Sequence, residues 1–135
     1  MLVRPLVVPV VCACACACAC VQDLDRDLQD DVSIVATREA AFAEPVIARL
    51  ARRGPRAIPA IETALHTAKP TGRVQLVITL RRIGDGEAIP LLRHLARWDA
   101  DEAVRKEADF TLHTWAGGSD ARGAAARAAL AAAAP

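Results

Sequence analysis

The sequence predicts an all-α protein, a short α-solenoid in which antiparallel helix pairs stack on one another. Three observations predict this fold class. The tripeptide Ala-Ile-Pro occurs at 57–59 and again at 88–90, and each copy is followed by two helical patterns with a short polar break between them. Apolar residues in these patterns recur at spacings of three and four, which is typical of one face of a helix. No part of 54–115 alternates apolar and polar residues for long, so strands are not expected there.

The repeat continues through the second helix of each predicted pair. Arg73 and three apolar residues after it in the first copy match Arg105 and three apolar residues after it in the second. The tripeptides are 31 residues apart (88 − 57) and the arginines 32 (105 − 73), so one copy has one extra residue. Repeats of this period are typical of stacked helix pairs. The predicted pairs are 57–68 with 72–83 and 87–98 with 102–115.

Residues that begin and end helices support these boundaries. Gly84 follows the last apolar residue of its helix, where a left-handed residue commonly ends a helix. Pro59 and Pro90 belong to first turns, where a missing N–H has no consequence. The expected N-caps are Asp85, Thr71, and either Asp99 or Asp101.

One family has this pattern. Residues 83–92, followed by 101–105 (Asp-Glu-Ala-Val-Arg), Ala108 and Leu112, resemble the HEAT repeat, and in particular the short bacterial type also found in phycobilin lyases. The resemblance covers about half of the chain. It implies a fold and a binding style but no chemistry, because HEAT proteins are mostly scaffolds and adaptors. It also implies that Arg105 pairs with a nearby acid, Asp101 or Asp85.

Two features extend or interrupt the resemblance. A partial copy precedes the two good ones, since residues 46–54 resemble the end of another second helix. The first full copy has Gly72 where the second has Val104, so a looser first turn is expected there.

The first twenty residues are predicted to be a signal peptide or a lipoprotein-type segment. Arg4 supplies a positive charge, and residues 5–21 carry none. All five cysteines alternate with alanine at 12–20, where 17–19 offers a small-x-small cleavage site and Cys20 or Cys14 resembles a lipobox cysteine. Tandem cysteines can bind soft metal ions, but the absence of interleaved His or acid favours low-complexity filler in an apolar segment. The protein is therefore expected to be exported, either periplasmic or membrane-anchored.

The rest of the chain divides by composition. Residues 21–31 are predicted to be an acidic linker, or a frayed helix, and 32–118 to be the repeat domain. Pro45 is expected to divide or kink the helical pattern that begins near 32. Residues 119–135 are rich in Ala and are predicted to form a C-terminal capping helix or a tail, with Ser119 or Asp120 as its N-cap.

No catalytic arrangement is predicted, and no cofactor or metal. The two serines lie outside any nucleophile motif, and His66, His94 and His113 are scattered. Residues 44–97 hold ten bases and four acids, a net charge of +6 (10 − 4). Such a basic stretch suits nucleic acid, anionic lipid or an acidic protein. Nucleic acid is not expected, because aromatic residues are not interleaved with the arginines.

The sequence therefore favours a non-catalytic adaptor that binds a protein of unknown identity. Contact with the membrane is expected only through the N-terminal segment, if Cys20 is lipidated. The alternatives are an enzyme or chaperone of the phycobilin-lyase kind and, less favoured, a nucleic-acid-binding solenoid. The expected partner surface is formed by outward residues of the second helices, namely Arg73, Gln75, Arg82, Glu102, Lys106 and Asp109.

Overall fold

The computed structural model describes the backbone of residues 14–132 and the side chains of residues 25–132. Over the described backbone the chain forms α-helices and 3-10 turns and no strand, so the all-α prediction is confirmed. The first helices are α1 (Cys14–Thr37), α3 (Ile58–Leu65) and α5 (Ile89–Trp98). The second helices are α2 (Ala40–Arg53), α4 (Pro70–Ile83) and α6 (Glu102–Ala116), and α7 (Ala121–Ala131) follows. Short 3-10 turns at Gly54–Ala57 and Gly86–Ala88 lead into α3 and α5.

The second helices lie side by side, because α4 packs against α2 on one side and α6 on the other. Helix α1 packs on α2, α3 and α4, while α5 packs chiefly on α6. Helix α7 contacts both α5 and α6. This arrangement brings the apolar faces of all the helices into one core.

The same leucine position is buried in each second helix. Leu50 and Leu80 are fully buried, and Leu112 is 2% exposed. The three leucines lie at matching distances from the ends of their helices. They are four residues before positions 54, 84 and 116, and the helices end at 53, 83 and 116. The predicted apolar stripes are therefore the faces that enter the core.

Most of the predicted caps are present. Gly84 ends α4 in the left-handed conformation, with φ of 68°, and its N–H donates to the carbonyl of Leu80. The carboxylates of Asp85, Asp101 and Asp120 accept hydrogen bonds from backbone N–H groups at the starts of the elements that follow them. Thr71 is not a cap, because Lys69 occupies that position of α4. Pro70 begins the helix instead, since its φ suits a first turn and its missing N–H would have no helical partner there.

The N-terminal part of the domain differs from the expected arrangement. The acidic stretch lies within α1, which is continuous as far as Thr37, and Asp31 at its end is buried. The break before α2 falls at 38–39 rather than at Pro45, which lies inside α2. Pro45 is exposed, so water can bond the carbonyl that its missing N–H leaves free.

Gly72 does not loosen the first turn of α4. It is buried, and a Cβ built on it would lie 2.0 Å from the carbonyl oxygen of Ala36 in α1. The missing side chain therefore lets the backbones of two helices meet, which a residue such as Val104 could not allow here.

Candidate functional site

The outward side of α2, α4 and α6, called here the second-helix surface, contains an apolar groove. The groove lies between the N-terminal halves of α2 and α4 and has a volume of about 280 Å³. Its apolar character comes from the buried Ile47 at its base and from Val74 and Ile78, which are partly exposed. The lining residues are Ala40, Glu44, Ile47, Thr71, Val74, Gln75 and Ile78.

Ion pairs between neighbouring helices border this groove and continue the surface toward α6. The Arg82 guanidinium on α4 reaches Glu44 on α2, and Arg81 reaches Glu107 on α6. Arg81 also lies over the ring of Phe110, 5.1 Å from its centroid, and this ring is 57% exposed. The surface thus combines exposed apolar groups with charges of both signs, a composition that is common at protein interfaces.

The structure brings only two of the predicted partner-binding residues to this groove. Gln75 lines it, and Arg82 borders it through its pair with Glu44. Both lie on the α2 side of α4, as expected for residues off the apolar stripe.

Arg73 lies elsewhere, between α4 and the turn that follows α5. Its Nε and Nη2 donate to the two carboxylate oxygens of Asp99, at 3.0 and 2.9 Å, and its Nη1 donates to the carbonyl of Ala68 at 2.9 Å. The two side chains are only 17% and 7% exposed. This bidentate, mostly buried geometry uses the donors of Arg73 within the molecule.

The remaining predicted residues form a polar strip on the exposed side of α6. Lys106 Nζ lies 2.7 Å from a Glu102 carboxylate oxygen, and this hydrogen bond, with the charge of Lys106, lowers the pKa of Glu102. Asp109 lies 3.3 Å from the ring of His113 one turn further on. These are same-helix pairs at i and i+4, which are weak in water and leave the groups accessible.

Sequence reasoning missed the apolar part of the surface. Ile78 and Phe110 lie off the stripes that enter the core, and Val74 packs against the core from its edge, so an apolar residue outside or beside the stripe was the available signal. The sequence gives no local signal for the position of Glu44, because that position depends on Arg82, 38 residues away in sequence.

The arginine that resembles the HEAT pattern binds its own turn rather than an acid. Arg105 Nη1 donates to the carbonyls of Asp99 and Ala100, at 2.7 and 3.1 Å. The expected pairing with Asp101 or Asp85 is therefore wrong, since Asp101 caps α6 and Asp85 caps the turn before α5. Arg73, the matching arginine of α4, does bind an acid, Asp99.

Two histidines share a second cavity, of about 300 Å³, between α3 and α5. His66 and His94 line it together with Glu62, and Leu65 and Leu95 supply apolar walls. Within residues 25–132 no group of His, Cys, Asp and Glu side chains is arranged to hold a metal ion. The side chain of Cys20 lies outside the described residues. Among the described helices, none is both long and apolar enough to span a membrane.

Comparison with known proteins returned no relative. No protein-family model matches the sequence, and neither a curated protein nor a solved structure matches it significantly.

Proposed function

We propose that this protein is a non-catalytic adaptor of the HEAT-like kind, a short α-solenoid of antiparallel helix pairs that binds a protein through its second-helix surface. The observation that supports it best is the apolar groove between α2 and α4, bordered by charged residues. A groove on packed helices is held open before a partner arrives, which lowers the entropic cost of binding.

Equivalent positions in successive second helices support the repeat arrangement. Leu50, Leu80 and Leu112 are buried at matching places. Thr79 and Thr111 are 32 residues apart (111 − 79), and both are buried with the hydroxyl donating to the carbonyl four residues earlier. Such matched environments are expected when one structural unit is repeated and stacked.

The partner that fits this surface is a protein segment with an apolar side chain and charges of both signs. The apolar side chain would enter the groove beside Ile47, Val74 and Ile78. Charged groups of the partner would lie beside Glu44, which is 55% exposed, and the pairs on α6. Charge complementarity of this type mainly sets the association rate and the choice of partner.

Export is part of the proposal. It is supported by the charged start, the uncharged stretch and the small residues of 1–20, with Cys20 as the residue that lipidation would modify. In this case the partner is a periplasmic or membrane-associated protein.

The test starts with a photo-reactive residue at position 75, in the groove, to identify the partner by crosslinking in cells. The dissociation constant is then measured for the identified partner with Ile78→Asp, which places a charge in the groove without entering the core. We expect binding to weaken at least about tenfold, or about 1.4 kcal/mol. Thr63→Asp, on the exposed side of α3, is the matched control and should bind normally.

A second variant tests the charges. Arg82→Glu with Lys106→Glu reverses two exposed cations while keeping Arg73, whose reversal would disturb the fold. The proposal is refuted if the crosslinked partner binds both groove and charge variants as tightly as the natural protein.

A further inference from the structure

Within the described residues, one end of the row of second helices is exposed, and the alignment of the helices shows which side chains this leaves in water. Leu50 and Leu80 are 30 residues apart (80 − 50) and Leu80 and Leu112 are 32 apart (112 − 80), so Phe42 occupies the place of Gly72 and Val104. Gly72 is buried against α1, and Val104 is fully buried. Phe42 is 69% exposed, because no helix pair in the described chain precedes α2.

Two further positions on α2 repeat this contrast. Arg49 occupies the place of Thr79 and Thr111, which are both fully buried, yet its side chain is 46% exposed. Arg52 occupies the place of Arg82, which reaches back to the preceding second helix. On α2, the side that corresponds to the predecessor-facing side of α4 and α6 is therefore largely exposed within the described chain.

This end face has two strips of opposite charge. On α2 the strip contains Phe42 and Arg52, with Pro45 exposed between them. On α1 the strip contains Asp27 and Asp30, which are both exposed. The acidic and basic strips lie side by side, because Asp31, next to Asp30, contacts Arg53, next to Arg52.

Two ion pairs show which residues of the two strips lie at the same position along the helix axes. Asp31 lies 2.5 Å from Arg49 and 3.7 Å from Arg53, so this part of α1 lies beside the C-terminal turns of α2. The hydrogen bond and the charge of Asp31 raise the pKa of Arg49. Arg52 and Asp30, each one residue from this contact, are consequently at nearly the same height.

We propose that this end face, formed by Asp27, Asp30, Phe42, Pro45 and Arg52, binds the same face of a second copy of the chain. A two-fold axis parallel to the helices places α2 of one copy against α1 of the other. Arg52 of each copy then faces Asp30 of the other copy, so this contact occurs twice. The exposed Phe42 ring of each copy is removed from water. A self-complementary patch of this kind is what a two-fold dimer requires.

Over the part of the chain that the structure describes, the opposite end of the stack presents no such face. On α6 the exposed strip is already paired within the helix, Glu102 with Lys106 and Asp109 with His113. Helix α7 also covers α5 and α6 on that side. The contrast favours pairing of two N-terminal end faces over growth into longer stacks.

The experiment is sedimentation velocity of the full chain, with a thiol reductant so that the cysteines cannot form disulfide-linked dimers. Because the contact involves two helices from each copy, we expect a weak dimer, with a dissociation constant of about 10 to 100 µM. Arg52→Glu alone and Asp30→Arg alone should each weaken it at least about tenfold, since like charges then face each other. Both residues are exposed, so circular dichroism should show both variants folded.

Mixing the two variants identifies the arrangement. In the mixed dimer the introduced glutamate of one copy faces the introduced arginine of the other, and the natural Arg52 and Asp30 face each other in the other half. We expect the dissociation constant to return to within about threefold of the natural value. Phe42→Ser should weaken every dimer, and Lys106→Glu, at the opposite end, should weaken none.

Three outcomes would overturn the proposal. They are a monomer at all concentrations up to about 300 µM, a dimer that tolerates both single reversals, or a mixture that stays monomeric when both singles are monomeric.

Discussion

At the scale of single residues, the contact between α1 and α4 depends on an absent side chain. Alanine in place of glycine inside a helix normally stabilises it by about 1 kcal/mol. At Gly72 the added Cβ would lie 2.0 Å from the backbone oxygen of Ala36, which cannot move without shifting a helix. We expect Gly72→Ala to lower the free energy of unfolding by about 2 kcal/mol or more, measured by urea denaturation.

Gly117→Ala is the matched control for this prediction. Gly117 has φ of −69°, and its nearest neighbour to an added Cβ is the Thr114 carbonyl oxygen at 3.6 Å, an ordinary contact. This variant should be neutral or slightly stabilising. Equal stability of the two variants would show that α1 and α4 do not meet so closely.

The ion pair of Arg73 with Asp99 is expected to contribute to the free energy of unfolding. Removing one partner leaves a mostly buried charge without compensation, so Arg73→Ala should cost about 3 kcal/mol of stability. Arg93→Ala, on exposed α5, should change stability by less than about 0.5 kcal/mol. A double-mutant cycle with Asp99→Ala should show coupling of at least about 1 kcal/mol, and additive effects would contradict the assignment.

At the scale of the helices, the buried face of each second helix contributes large apolar side chains to the core. Leu80→Asp or Leu112→Asp places a charge among apolar side chains with no partner, and we expect each to unfold the protein. Phe110→Asp is the control for Leu112→Asp, because it lies on the same helix but is 57% exposed. Thermal melts followed by circular dichroism separate the two, and a native-like melt of Leu112→Asp would show the stripe to be misassigned.

Helix α7 shows how far composition alone can predict an element. An Ala-rich segment predicts a helix through its propensity, but with little bulk it could equally be a cap or a tail. In the structure, Ala126 and Ala129 are buried against the preceding helices. Arg122 donates to the Gly84 carbonyl at 2.7 Å and lies over the ring of Trp115. The arginine that holds α7 in place acts over 38 residues, and no local pattern predicts such a contact.

The same limit explains the other differences between expectation and structure. Helical periodicity and caps are local signals, and they predicted the second helices to within a few residues. The acidic stretch has a linker-like composition, yet Asp31 is buried through its contact with Arg49 and Arg53. Likewise, the groove requires α2 and α4 to lie side by side, which only tertiary packing determines.

At the scale of the whole molecule, the basic surplus in 44–97 is partly balanced by long-range pairs. At least five of the ten cations lie in ion pairs with four acids, of which three come from outside this stretch and the fourth, Glu44, lies at its edge. These five cations are Arg49, Arg53, Arg73, Arg81 and Arg82. This balance favours a partner of mixed charge over a uniformly anionic polymer.

We expect the fold to need only the C-terminal part of α1. A chain that begins at Val21 lacks the first seven residues of α1 but keeps Leu28, which packs against the core, and the buried Val32 and Val35. We expect it to be soluble, with a thermal midpoint within a few degrees of the full chain, because about 1 kcal/mol shifts the midpoint of a small domain by about 4–8 °C.

A chain that begins at Arg38 lacks α1 entirely and provides the comparison. Helix α1 packs on α2, α3 and α4, so its loss exposes apolar surface on all three and leaves Arg49 and Arg53 without Asp31. We expect this chain to be unfolded or aggregated, as judged by circular dichroism and light scattering. If the chain beginning at Val21 also lost its cooperative melt, residues 1–20 would be a structural part of the domain, and their assignment as a removable export segment would fail.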